Sequence, residues 1–190
     1  IIATFGTAQI AANAVANNLD GMAILGGQAL GLATITVVGQ CVGAGDYAQA
    51  RRYNRKLMLI SWLLIAASAA AILISLPLLL NLYNISDEAR VLSAQLVRLH
   101  NIPAIALWCL SFTLPNTLRA AGDARFTMVV SIVSMAVFRI GFSVVLGIWM
   151  GMGAIGVWIA MDIDWVCRVI CFVARYFSGA WTRKYQNFQA

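Results

Sequence analysis

Asp162, Asp164 and Arg168 fall within one apolar stretch near the end of the sequence, Arg139 within the stretch before it, and Asp20 near the start. An ionised side chain in such surroundings costs roughly 2.5–3.5 kcal/mol on insertion scales, so each must face a partner or a wet cavity. Asp164 and Arg168 are four residues apart, share a helix face and can pair. Asp162 and Asp164 point about 200° from one another at about 100° per residue, so they cannot serve one partner. One of them is available to line a cavity. Arg139 reaches a similar depth, and a network of Arg139, Asp164 and Arg168 is geometrically allowed. Two chemistries follow: a structural ion-pair network, or direct work on a cationic ligand or a proton. Asp20, beside Asn17 and Asn18, reads either as an interfacial helix residue or as part of a polar cluster at the mouth of a central cavity that attracts cations. Arg98 and His100 fall at the outer edge of an apolar stretch and are expected to snorkel or cap rather than bind.

Soluble-enzyme chemistry has no carrier in this sequence. It lacks a phosphate-binding glycine loop with its lysine, a His-Glu-x-x-His pair and a nucleophile elbow. A single histidine without ligand-spaced partners argues against a metal centre. No catalytic residue, no metal and no enzymatic activity are therefore expected. Cys41, Cys109, Cys167 and Cys171 lie within or at the ends of apolar stretches, and their spacing fits packing thiols at helix interfaces.

The elements that must position these charges are membrane helices. Hydrophobic residues make up 62% of the 190 and charged residues 11%, unlike a soluble domain. Apolar stretches run over 18–42, 57–82, 99–118, 127–148 and 154–174, and about 20 apolar residues suffice to cross the hydrocarbon core. The expected fold is all-α, a polytopic transmembrane helix bundle of five full spans forming one unit over residues 1–190. Arg51, Arg52, Arg55 and Lys56 follow the first span, Arg119 and Arg125 the third, and Arg175, Arg183 and Lys184 the fifth, whereas Arg90 stands alone among the alternate connections. By the positive-inside rule the basic connections and the C-terminus face the cytoplasm. Charges dispersed over short loops offer no surface for nucleic acid. A start at Ile1 ahead of an odd number of spans reads as part of something larger.

Local signals refine this outline. Gly27 with Gly31 and Gly39 with Gly43 form two Gly-xxx-Gly pairs suited to close helix approach. The Gly43-Ala-Gly-Asp46 turn is expected to end the first helix, with Asp46 capping a short interfacial helix over 47–56. Residues 6–17, small and polar, read as a turn and the top of the first helix. Ser86 or Asp87 caps the next helix after the outer turn. Pro103 and Pro115 interrupt the third helix, and Gly122 stops it. Trp149, Trp158 and Trp181 are placed for interfacial anchoring.

Four stretches carry a family resemblance in order. Ile10-Ala-Ala-Asn-Ala-Val-Ala16 opens the first helix, and Val38-Gly-Gln-Cys-Val-Gly-Ala-Gly-Asp46 with Ala50-Arg51 closes it. Leu118-Arg-Ala-Ala-Gly-Asp123 ends the third span, and Trp158, Asp164-Trp165, Arg168 and Ser178-Gly-Ala-Trp181 mark the last. Over essentially its whole length the chain resembles the multidrug and toxic compound extrusion (MATE) transporters. The resemblance implies twelve helices in two six-helix lobes, with this chain as the C-terminal lobe from the end of helix seven through helix twelve. The N-terminal lobe would be its missing partner. It further implies antiport in a bacterial inner (plasma) membrane, in which entry of sodium ions or protons drives export of small cationic or amphipathic substrates, with no cofactor beyond the coupling ion. The tenth helix of the family, here around Pro103, lacks the aspartate that one subgroup uses, so no family coupling residue carries over. Asp20, Asp162 and Asp164 stand as candidates on burial cost alone. The alternative within the same superfamily is a flippase for lipid-linked saccharides, which Arg139 and Arg168 facing the lumen would favour.

Overall fold

The computed structural model describes residues 1–181; Arg183 and Lys184 of the expected basic tail lie outside the described residues. A 3-10 turn, Ile2–Phe5, precedes five helices: α1 Thr7–Gly43, α2 Tyr47–Leu82, α3 Asp87–Ala120, α4 Ala124–Trp149 and α5 Gly153–Phe177. No strand occurs among the described residues. The fold is the all-α polytopic bundle that composition demands.

Four of the five helices are long and apolar enough to cross a membrane. The expected fifth span, α5, fails on composition and not on length. Every span-length portion of its 25 residues contains Asp162, Asp164 and Arg168. At about 1.5 Å per residue it is nevertheless some 37 Å long, and its charges turn inward, where Asp164 is fully buried.

Two helix boundaries differ from expectation. Helix α1 starts at Thr7, because the polar residues taken for a turn find partners on α5. Gln9 Oε1 accepts from the Ala154 amide at 2.7 Å, and Asn13 Oδ1 accepts from Trp158 Nε1 at 3.0 Å. Residues 47–56 are not a separate interfacial helix either. With no glycine or proline from Tyr47 to Leu76, α2 continues unbroken from the Asp46 cap, whose carboxylate accepts from the Gln49 amide at 2.8 Å. Ser86 caps α3 by accepting from the Ala89 amide, and Gly122, at φ 81°, makes the stop between α3 and α4.

Pro103 is absorbed within regular helix, whereas Pro115 follows a π turn at Cys109–Thr113. The Leu114 amide bonds to the Cys109 carbonyl, five residues back. That extra residue offsets the ladder just before the proline, which has no N–H to give.

Helix α1 packs against α2 and α3 through small residues. Ala12, Ala16, Leu19 and Ala23 are buried with Leu76, Leu96 and Trp158. Gly27 sits against Ile65 and Trp108, and a Cβ there would lie 2.6 Å from the indole. Gly31 is similarly close to Asn116, but Gly39 meets only a loose contact and Gly43 none. Only the first Gly-xxx-Gly pair is a packing device. Ile74, Leu78, Leu82, Ile170 and Phe177 lie exposed on the outside of the bundle, as a lipid-facing surface requires. Of the three proposed tryptophan anchors, Trp149 is exposed. Trp158 and Trp181 are buried, their indole N–H groups held by Asn13 and by the Tyr176 carbonyl.

Candidate functional site

Asp20, His100 and Asp162 come from three helices and meet at mid-depth. Counted from the helix starts at about 1.5 Å per residue, Asp20 on α1 and His100 on α3 each lie about 20 Å in, and Asp162 on α5 about 14 Å. His100 is wholly buried, so the expectation of a capping or snorkelling residue at the boundary is corrected. Helix α3 starts at Asp87 as its cap predicts, and His100 is buried because its ring finds Asp162 of α5 and Asp20 of α1 inside the bundle. Arg98, two residues earlier, points outward and is exposed.

The imidazole is held tightly on one side and loosely on the other. Nδ1 lies 2.6 Å from Asp162 Oδ1, and Nε2 lies 3.8 Å from Asp20 Oδ2. Trp158 and Trp165 flank the ring, with centroids at 4.9 and 4.4 Å. Nε2 of His100 and Oδ1 of Asp20 are buried atoms without a hydrogen-bond partner. Polar atoms left so in a protein interior are uncommon and costly.

This group opens onto a cavity of about 430 Å³ between α1, α3, α4 and α5. Asp20, His100 and Arg139 supply its charge, and Trp108, Phe112 and Trp165 its aromatic wall. Trp108 stacks on Phe112 at 5.2 Å, and Phe112 meets Trp165 edge-on at 5.3 Å. An acidic group beside aromatic faces suits an organic cation, which gains both a counter-charge and cation–π contact.

Asp164 faces away from this cavity. It pairs with Arg168 and also accepts from the Ser134 hydroxyl of α4. Asp162 and Asp164 thus serve separate partners, as their angular separation requires. Arg139 does not join the Asp164–Arg168 pair. Its Nη2 meets Met161 Sδ at 3.1 Å, and no carboxylate lies within ion-pair distance of it among the described residues. The cavity side of α4, and not the Arg168 side, is where its guanidinium goes.

Further polar contacts at the Gly45 end had no sequence signal. Asn54 of α2 accepts from the Thr117 hydroxyl at 2.5 Å and donates to the Tyr176 hydroxyl at 3.1 Å. Arg175 Nε donates to Asp123 Oδ2 at 2.7 Å while the guanidinium lies over Phe126. These contacts tie α2, α3 and α5 together where the basic connections emerge. The four cysteines are free thiols and take no part in the site.

A lipid-facing helical bundle that buries a His–carboxylate group beside an aromatic cavity defines a polytopic membrane protein. The MatE family model matches residues 1–145, and the chain belongs to that family, the one its motifs resemble. An uncharacterized transporter of Bacillus subtilis (strain 168), YisQ, is 26% identical over 187 residues, covering 96% of this chain and 40% of that protein. Multidrug and toxin extrusion protein 1 of Oryctolagus cuniculus is 22% identical over 182 residues, covering 96% of this chain and 32% of that protein. The chain therefore spans less than half the length of these relatives. No solved structure matches.

Proposed function

We propose that this chain forms the C-terminal lobe of a two-lobe antiporter that exports small cationic or amphipathic compounds by alternating access, driven by an inward cation flux. The observation that carries the reading is the cavity of about 430 Å³ in which Asp20 stands beside Trp108, Phe112 and Trp165. Apolar walls strip water from an amphipathic cation, and the carboxylate balances its charge. The printed name of the rabbit relative, a multidrug and toxin extrusion protein, supports the same substrate class. Exposed Leu32, which lines the cavity on α1, suits contact with the partner lobe. In this arrangement the basic connections and the C-terminus face the cytoplasm of a bacterial cell.

The flippase alternative asks for a cationic lumen. Arg139 lines the cavity, but Asp20 and His100 share it, and Arg168 is engaged by Asp164. The balance favours a cationic substrate. The test is efflux of ethidium from drug-sensitive bacteria expressing the two-lobe protein. Asp20→Asn should lower efflux at least tenfold with unchanged protein yield. Efflux equal to wild type in that variant would remove the cavity from the transport path.

A further inference from the structure

We infer that the coupling ion is a proton, carried on His100 Nε2 where it faces Asp20, and that the cationic substrate displaces it. The inference rests on the transport reading above and adds the ion and its seat. A carboxylate oxygen only accepts hydrogen bonds when ionised, so the 2.6 Å contact from Asp162 Oδ1 places a hydrogen on Nδ1. That leaves Nε2 as the imidazole's one remaining proton seat. Without a proton there, two acceptors face each other across 3.8 Å, and both Nε2 and the second oxygen of Asp20 go without a partner. A proton on Nε2 turns this opposition into attraction between an imidazolium and a carboxylate across the same 3.8 Å.

The surroundings bear on the same point. Asp20 on α1, Asp162 on α5 and Arg139 on α4 are the charged groups around the imidazole, with the Trp158 and Trp165 rings closing it off. Two carboxylates against one guanidinium leave the pocket in need of one further positive charge. A hard cation such as sodium seeks several oxygen ligands. Here the carboxylates converge on nitrogen, and no group of three His, Cys, Asp or Glu side chains placed to hold a metal ion occurs among the described residues. A proton supplies the charge when the cavity is empty. An organic cation docked on Asp20 supplies it instead, and the Nε2 proton then leaves to water. One cation enters for each proton released, and by linkage a bound proton weakens cation binding by the same factor.

The test uses the purified full-length protein in nanodiscs, in weak buffer with a pH indicator, and tetraphenylphosphonium as the probe cation. Wild type should release about one proton per probe bound. His100→Gln should still bind the probe but release less than a tenth as many protons. Sodium chloride should not displace the probe at constant ionic strength. In parallel, the nitrogen-15 imidazole signal of His100, assigned by its loss in the Gln variant or in His100→Asn, should move from the cationic to the neutral position when the probe is added to wild type. Unchanged proton release in the variant, displacement by sodium, or an immobile imidazole signal would overturn the proton assignment while leaving the transport reading standing. Absence of probe binding to wild type would overturn both.

Discussion

Arg168 holds Asp164 from one turn farther along α5. Nε donates to Oδ1 at 3.0 Å, Nη2 stands 2.9 Å from Oδ2, and the same Nη2 donates to the Ser131 carbonyl of α4 at 3.4 Å. The carboxylate is fully buried and the guanidinium nearly so. A buried pair of this kind adds little net stability over an apolar pair of the same volume, but breaking it strands a charge.

Single removal of either partner should therefore be worse than removing both. Asp164→Asn or Arg168→Gln leaves one unpaired charge at membrane depth and should cost about 3–5 kcal/mol. The double substitution should recover a substantial part of the folded yield. Fluorescence-detected size exclusion of the three variants decides it. A double mutant no better than the worse single would show that the pair is not an energetic unit.

Glycine replacements should separate packing positions from open ones. At Gly156 a Cβ would lie 2.7–2.8 Å from the backbone of Leu146 and Gly147, which cannot rotate away as a side chain can. Gly156→Ala should push α4 from α5 and destabilise by about 1–3 kcal/mol. Gly43 has nothing within 4 Å of such a Cβ, so Gly43→Ala should be neutral or gain up to about 1 kcal/mol from helix propensity. Thermal midpoints of the two variants give the comparison, and a smaller loss at 156 than at 43 would contradict the helix contact.

The fold was largely legible because burial in lipid constrains composition so strongly. Apolar runs located four crossing helices, and Asp46, Ser86 and Gly122 announced their caps and stops. The Asp164–Arg168 contact was visible because i, i+4 spacing is a local signal. His100 was not, since its two carboxylate neighbours lie on other helices, 80 and 62 residues away in sequence. Hydropathy also misled at the start of α1 and at the start of α2. A polar side chain satisfied inside the bundle, such as Gln9 or Asn13, scores the same as one in a loop.

The Thr117–Asn54–Tyr176 chain of hydrogen bonds should contribute to stability in a non-additive way. Thr117→Val leaves the buried Asn54 carbonyl without its 2.5 Å donor and should cost about 1–3 kcal/mol. Asn54→Leu alone strands the Thr117 hydroxyl. The pair Thr117→Val with Asn54→Leu should cost less than the sum of the two singles, measured as thermal shifts in a double-mutant cycle. Strict additivity would mean that the contact carries no energy.

Orientation in the membrane offers the last prediction. The start of α2 carries Arg51, Arg52, Arg55 and Lys56, all four exposed and none in an ion pair among the described residues. The opposite end of the bundle presents Asp87, Glu88 and a single Arg90, which bonds to Asp87 at 3.3 Å. The positive-inside bias then places the α1–α2 turn in the cytoplasm and the α2–α3 turn outside. Cys41, Cys109, Cys167 and Cys171 are replaced first, and single cysteines are then introduced at Glu88 and Arg52. In intact cells a membrane-impermeant maleimide should label Glu88→Cys, and it should label Arg52→Cys only after the membrane is opened. The reverse pattern would invert the bundle and put Asp20 and His100 on a path entered from the wrong side.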